Sequence, residues 1–343
     1  MTSLTSGGAL RRSFSTNAAW LLMLTVLTWI VYGVVGQGFL SSFNIFTLSQ
    51  IAAQYVVIGF AQLALIVLGR MNLAVGAVGV VSAMVAATVF GPLGLSPVVG
   101  ILAAVVVGAA VGAIMGWLER RTGLSSFIVT LASASILTGA VLIVSGGVSI
   151  STLPGSVVDF GAQSLGTPYL SLQILPAILV TVVLWYLYER TTYGYKSLAV
   201  GANETAAALS GIRVNRIVIV GFALSGVLSG VAALMEVSRV AAALPTLGSD
   251  WLLTAFIVPV LGGNSLKGGN ISIAGTVIAA VFLASINSGL VSLNVPSYWQ
   301  QFALAIVLLV AVLLDALRRR KRTVHPPAPT VVSQPKEEIR EVV

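Results

Sequence analysis

The chain has 343 residues, 57% of them hydrophobic and 8% charged, with a net charge of +8 and no cysteine. Soluble domains carry about a quarter charged residues, so this composition excludes a soluble fold and points to a polytopic membrane protein. The lack of cysteine excludes disulfides, thiol nucleophiles and Cys-ligated metals, and the only histidine, His325, lies in the C-terminal tail.

In chain order, Arg11 and Arg12 precede an apolar stretch over 18–35 with no clear small-residue cleavage site after it. It reads as a retained first helix rather than a cleaved or twin-arginine signal. Apolar segments follow at about 45–66, 73–90, 97–117, 124–145, 171–188, 215–235, 251–262, 271–290 and 299–317, the eighth of the series being short. Most approach the roughly 20 residues that carry a helix across about 30 Å of hydrocarbon. Runs such as 101-ILAAVVVGAAVGAIMGW-117 are apolar all round and rich in Gly and Ala, unlike the alternating strands of a β-barrel. The expected fold is therefore all-α, a polytopic transmembrane helix bundle of about ten spanning helices. The expected divisions are a cytoplasmic segment 1–17, a membrane domain 18–317, and a basic, Pro-rich cytoplasmic tail 318–343 that reads as disordered.

The positive-inside rule tests this count independently. With the N-terminus in the cytoplasm, 17 of the 18 basic residues fall in cytoplasmic segments, leaving only Arg239 outside. An even number of crossings, with both termini cytoplasmic, follows. The net charge then serves orientation and attraction to lipid headgroups, with no nucleic-acid footprint.

One pattern occurs twice: 67-VLGRMNLAVG-76 and 260-VLGGNSLKGG-269. Each time an apolar helix reaches a glycine (Gly69; Gly262, Gly263), passes polar residues, and restarts after Gly76 or after Gly268 and Gly269. Non-helical backbone at membrane depth survives only packed in protein or lining a watery cavity, so paired breaks in two halves point to a transport pathway. The alternative is a pair of tight cytoplasmic turns with glycine C-caps. No Asp, Glu, His or Lys sits mid-helix, so proton coupling has no evident carrier. Neither glycine stretch is a nucleotide-binding P-loop, and energy for active transport must come from another chain. Candidate pathway residues are Gln54, Asn72, Thr130, Ser133, Asn264, Ser265 and Asn287. Each is equally a candidate for hydrogen bonding between helices.

The largest cytoplasmic loop, about 189–214, reads ERTTYGYKSLAVGANETAAALSGIRV. Asn203 is a good N-cap, Glu204 suits a helix start and Gly211 a C-cap, which predicts a helix of two turns. Its small side chains, Ala206 and Ala207 among them, would let a partner approach closely.

GANETAAALSGI, VLGGNSLKGG, FIVTLASASILTGAVLIVSGG at 127–147, GRMNLAVG and YWQQ at 298–301 resemble the membrane permeases of bacterial ATP-binding-cassette importers, of the ribose, xylose and autoinducer type. The resemblance spans roughly 45–317. It implies ten helices per subunit, a second permease subunit, cytoplasmic ATPase subunits and an extracytoplasmic substrate-binding protein, in the bacterial inner membrane. ATP would be used by the partner, with no cofactor on this chain. It also makes 203–211 a coupling helix, with Asn203, Glu204, Ala206, Ala207 and Gly211 meeting the ATPase. The family's usual G-G-I-D-L-S-V-G becomes GRMNLAVG here, with Arg70 and Asn72 in place of Gly and Asp.

The expected function is import of a small polar solute, a monosaccharide or polyol, with an amino acid or nucleoside as the runner-up cargo. A passive channel would need no coupling loop, and a membrane enzyme would need an intramembrane acid, base or metal site that the sequence lacks.

Overall fold

The computed structural model describes residues 16–36 and 38–322. The N-terminal segment and the Pro-rich tail, including His325, lie outside these residues. The helices are α1 (Thr16–Val35), α2 (Ser42–Ile66), α3 (Val75–Phe90), α4 (Pro97–Thr122), α5 (Ser126–Ser145), α6 (Gly155–Ala162), α7 (Ile174–Arg190), α8 (Thr192–Ala202), α9 (Glu204–Leu209), α10 (Val214–Val240), α11 (Trp251–Leu261), α12 (Ile273–Ser292) and α13 (Ser297–Arg322). Among the described residues the only extended pairings are two isolated bridges, Ile150 with Ala243 and Ser164 with Ser171. The all-helical expectation holds, with most boundaries within a few residues of those read from hydropathy. Helices α6 and α8 were not expected.

By length and composition α2, α4, α5, α10 and α12 suffice to cross a membrane, and α7 with α8, bent by 73°, makes a sixth if the pair is one span. Three further apolar helices are shorter: Ala19–Val35 within α1, then α3 and α11. At 1.5 Å per residue α3 and α11 reach only about 24 and 17 Å, less than the hydrocarbon thickness.

Helices α2 and α10 form the centre. The apolar window of α2 is 83% buried, whereas that of α5 is 17% buried and lies at the rim. Between them α10 and α2 contact α3, α4, α6, α7, α11 and α12, while α1 packs on α12 and α13 on α11. The tightest seam is α4 on α10, where small residues recur every fourth position as Ala104, Gly108, Gly112 and Gly116. A Cβ on Gly108 would strike the Gly226 carbonyl, and one on Gly226 the Gly108 carbonyl. Without a hydrophobic drive between helices in lipid, close backbone approach through small residues supplies the packing attraction.

Candidate functional site

The loop after α7 turns at Thr191 into α8, and Gly194 allows the bend because any Cβ there would overlap the Tyr188 backbone. Asn203 then caps α9, with its extended backbone and its side-chain oxygen accepting the Ala206 amide at 3.0 Å. Gly211 closes the helix at φ +81°, where Ile212 N–H donates to the Ala207 carbonyl at 3.1 Å. Both caps satisfy terminal groups that would otherwise be orphaned, as the sequence anticipates.

The faces of α9 differ from the expectation. Ala207 is buried in its own subunit, in the cluster holding Leu68, Met115 and Val218. Ala206, Ala208 and Ser210 are exposed, and Leu209 is 85% exposed at the helix end. Glu204 also turns inward: one oxygen accepts from Arg70 Nη2 at 2.9 Å and the other from Arg120 Nη1 at 2.7 Å. Arg70 is buried, and its Nε donates to Glu119 at 2.5 Å while Nη1 donates to the Leu68 carbonyl at 3.1 Å. Arg120 Nε donates to Asn215 at 2.7 Å. One network thus joins the first glycine break, the end of α4, α9 and the start of α10. Partial burial pushes the Glu204 carboxyl up, but the hydrogen bond and charge of Arg70, with Arg120, outweigh that and hold it below the usual carboxylate range.

Every backbone amide from Arg70 to Ala74 in the break after α2 is hydrogen-bonded. Arg70 N–H returns to the Leu65 carbonyl at 3.0 Å around Gly69, which sits at φ +70°. The amides of Met71, Asn72, Leu73 and Ala74 then donate in turn to Ser126 Oγ, Gln62 Oε1, Thr130 Oγ1 and Asn72 Oδ1. Buried irregular backbone needs such partners. Asn72 also donates to Ser225 at 2.9 Å. In the second break Asn264 donates to the Pro259 carbonyl and to Thr276 Oγ1, and accepts Ser272 N–H at 2.6 Å. Ser265 stays at the turn, accepting from the Lys267 amide, and Ser133 is half-buried on α5. Asn72, Thr130 and Asn264 therefore spend their polar groups holding the breaks in shape.

The two breaks touch. Gly269 N–H donates to the Val67 carbonyl at 2.9 Å, a Cβ on Gly69 would lie 2.8 Å from the Lys267 carbonyl, and Gly201 of α8 is wedged against Val67 and Gly269. Gly262 likewise packs backbone to backbone on Gly275 and Thr276.

Gly76 lies elsewhere, against Gly248, so closely that a Cβ on Gly76 would overlap the Gly248 carbonyl. Gly79 packs on the Trp251 ring and the Ser229 carbonyl. Ser229 stands roughly 22 Å along α10 from Val214, so α11 begins level with the interior of α10 and segment 241–250 folds back to reach that depth. Two short helices thus start inside the bundle.

Beside this meeting point is a cavity of about 280 Å³. Its polar wall comprises Gln54 and Tyr55 of α2, Glu236 and Arg239 of α10, Asp250, and Asn287 of α12, with Trp251 and Gly248 also lining it. Asn287 donates to Tyr55 Oη at 2.9 Å, and Arg239 pairs with Glu236 at 2.5 Å. Of the seven pathway candidates, only Gln54 and Asn287 meet here. Tyr55, Trp251, Arg239, Gln62 and Glu119 escaped the sequence reading. The polar residues Glu236, Arg239 and Asp250 at adjoining ends of α10 and α11 were its available signal for the cavity.

The sequence pattern of the branched-chain amino acid transport system / permease component family matches residues 43–312. The chain belongs to this permease family. It is 33% identical over 322 residues to the ribose import permease protein RbsC of Escherichia coli K12, covering 92% of this chain and 99% of that protein. It is 36% identical to RbsC of Bacillus subtilis 168, over 83% and 88% of the two chains. It is 32% identical to the D-allose transport system permease protein AlsC of E. coli K12, over 86% and 90%. No solved structure matches the chain.

Proposed function

We propose that this permease carries a monosaccharide or small polyol into a bacterial cytoplasm as one of two membrane subunits, driven by ATPase subunits and fed by an extracytoplasmic substrate-binding protein. The observation that carries this reading is α9: a capped, outward-standing helix whose Leu209 is uncovered among the described residues, and whose Glu204 is bonded to the first glycine break through Arg70. A partner that grips α9 can move that break. Differential contact of the ATPase with α9 in its two nucleotide states would bias two packings of the helices. The sugar assignment draws on the printed names of the relatives and on the polar cavity, and fits the absence of a titratable mid-helix site in the sequence.

In this reading 18–317 is the membrane domain, α1–α5, α7 and α10–α13 make ten crossings in which the short α3 and α11 are completed by the irregular segments 67–74 and 241–250, both termini are cytoplasmic, and anionic lipid headgroups meet the basic loops. Asn203, Ala206 and Gly211 present α9 to the ATPase, and the glycines of the two breaks flank the inner mouth of the pathway. Substrate uptake by the complex reconstituted in liposomes with its ATPase and binding protein is the test. ATP-dependent uptake of ribose, allose or another monosaccharide is expected. Uptake without the ATPase would instead establish a channel, and uptake of amino acids or nucleosides alone would overturn the sugar assignment.

A further inference from the structure

We propose that the cavity beside Trp251 is a transient binding site for a monosaccharide or small polyol, closed on its inner side by the Gly76–Gly248 contact. This rests on the importer reading above and gives it a place for the solute. The cavity's volume, about 280 Å³, is at the small end of the roughly 300–1,000 Å³ that enclose drug-sized ligands. That suits one sugar ring and little more. Its wall is chemically mixed. Trp251 gives a buried aromatic wall for the apolar C–H side of a ring, while amides and carboxylates surround it at positions where hydroxyls can donate or accept.

One detail points to a guest. Gln54 is 3% exposed and lines the cavity, and its side chain makes no hydrogen bond among the described residues. Its amide, which can both donate and accept, is therefore open to a hydroxyl or water in the cavity. The Glu236–Arg239 and Asn287–Tyr55 pairs occupy part of the wall's bonding capacity, which keeps the site weak, as passage requires.

The floor is formed by backbone. Tyr55 is about 16 Å along α2 from Ile66, where the first break begins. Between them, Gly76 and Gly248 bring two chain segments into direct contact. Separation of these two glycines would open the cavity toward the breaks, and α3 joins Gly76 to the segment that Arg70 ties to α9.

The chain has no cysteine, so a single introduced thiol is unambiguous. Gln54→Cys and Asn287→Cys, each in the full complex with its ATPase and binding protein, are reacted with a charged methanethiosulfonate, and Ser96→Cys, at an exposed position before α4, serves as control. Modification is followed by mass, and uptake of ribose, allose and fructose is measured beside ATP hydrolysis. A charged adduct that fills a cavity this small is expected to cut uptake about tenfold at both cavity positions. ATP hydrolysis stimulated by loaded binding protein should persist, the Ser96→Cys complex should be unaffected, and the transported sugar should slow modification. Full modification at both positions with undiminished uptake overturns the site. A complex carrying the native chain that moves no sugar overturns the importer reading instead.

Discussion

Arg70 and Glu204 lie 134 positions apart in the chain and meet through a 2.9 Å hydrogen bond that ties the first glycine break to the start of α9. Arg70 also pairs with Oε1 of Glu119, whose side chain is only 7% exposed. Removing the guanidinium leaves that carboxylate buried and unpaired, a change that costs about 3–5 kcal/mol. Arg70→Met is therefore expected to lower the thermal stability of the purified subunit sharply, measured by retention of the monodisperse species after heating. Arg70→Lys should recover only part of the loss, since a single ammonium cannot reproduce the planar fork that reaches two carboxylates and a carbonyl. Glu204→Gln, at a side chain 41% exposed, should cost under about 1 kcal/mol of stability, yet lower uptake per ATP hydrolysed because α9 is freed from the break. Equal stability of Arg70→Met and the native chain would show that the network is idle.

The two faces of α9 predict opposite failures. Leu209 is 85% exposed; covering such a side chain in a partner groove contributes about 1.5–3 kcal/mol, or roughly a ten- to hundredfold difference in affinity. Leu209→Asp should abolish copurification with the ATPase while leaving the isolated permease as stable as before. Ala207→Glu should do the reverse, destabilising the permease itself, because Ala207 packs among Leu68, Met115 and Val218. If Leu209→Asp kept the ATPase bound at native affinity, α9 would be a connector with no docking role.

Hydropathy alone made the long helices legible, since α2, α4, α5, α10 and α12 are apolar over their whole spans. The caps of α9 were legible too, because Asn203 and Gly211 act through local backbone geometry. The direction in which α9 faces was not. Which of Ala206 and Ala207 is buried depends on how α4 and α10 approach the loop, and no local rule encodes that. Arg70 stood out in the sequence as a charge where a glycine is usual, but its partners Glu119 and Glu204 are distant in the chain. The depth at which α11 starts was equally hidden. Its short length was visible, whereas the fold-back of 241–250 onto Gly76 depends on backbone contact between two glycines with no side-chain signature.

Acid should loosen the loop. The Glu204 carboxyl is held below its ordinary value of 4.5, so its contribution to docking is complete above that value and is lost as pH falls through the depressed one. The groups facing it are Arg70 and Arg120, with Glu119 beyond Arg70 and Asn215 beyond Arg120. Hydrogen exchange of the 203–213 amides is expected to stay flat from neutral pH down to the ordinary carboxylate value of 4.5 and, once corrected for the intrinsic rate, to quicken only below it. Glu204→Gln should remove that acid-dependent step. Protection that instead falls between pH 5 and 7 would assign the change to another group.

Gly201 gives the sharpest packing test. It sits where α8 meets both breaks, and a Cβ there would overlap the Val67 carbonyl and come within 2.6 Å of the Gly269 amide nitrogen. Because the Gly269 N–H donates to the Val67 carbonyl, the added methyl would wedge into the hydrogen bond that joins the breaks. Backbone on both sides cannot rotate away as a flexible side chain can, so Gly201→Ala should cost at least the ~1–3 kcal/mol typical of overpacking. Gly139→Ala is the matched control: Gly139 lies inside α5 with nothing within 4 Å of the new methyl, and replacing a helix-interior glycine gains about 0.5–1 kcal/mol. Thermal stability of the two variants should therefore move in opposite directions from the native chain. Uptake should fall only for Gly201→Ala, because only that methyl separates α8 from the contact between the two breaks. A Gly201→Ala subunit with native stability and native uptake would show that the breaks tolerate separation, and that their contact does not transmit movement from the loop.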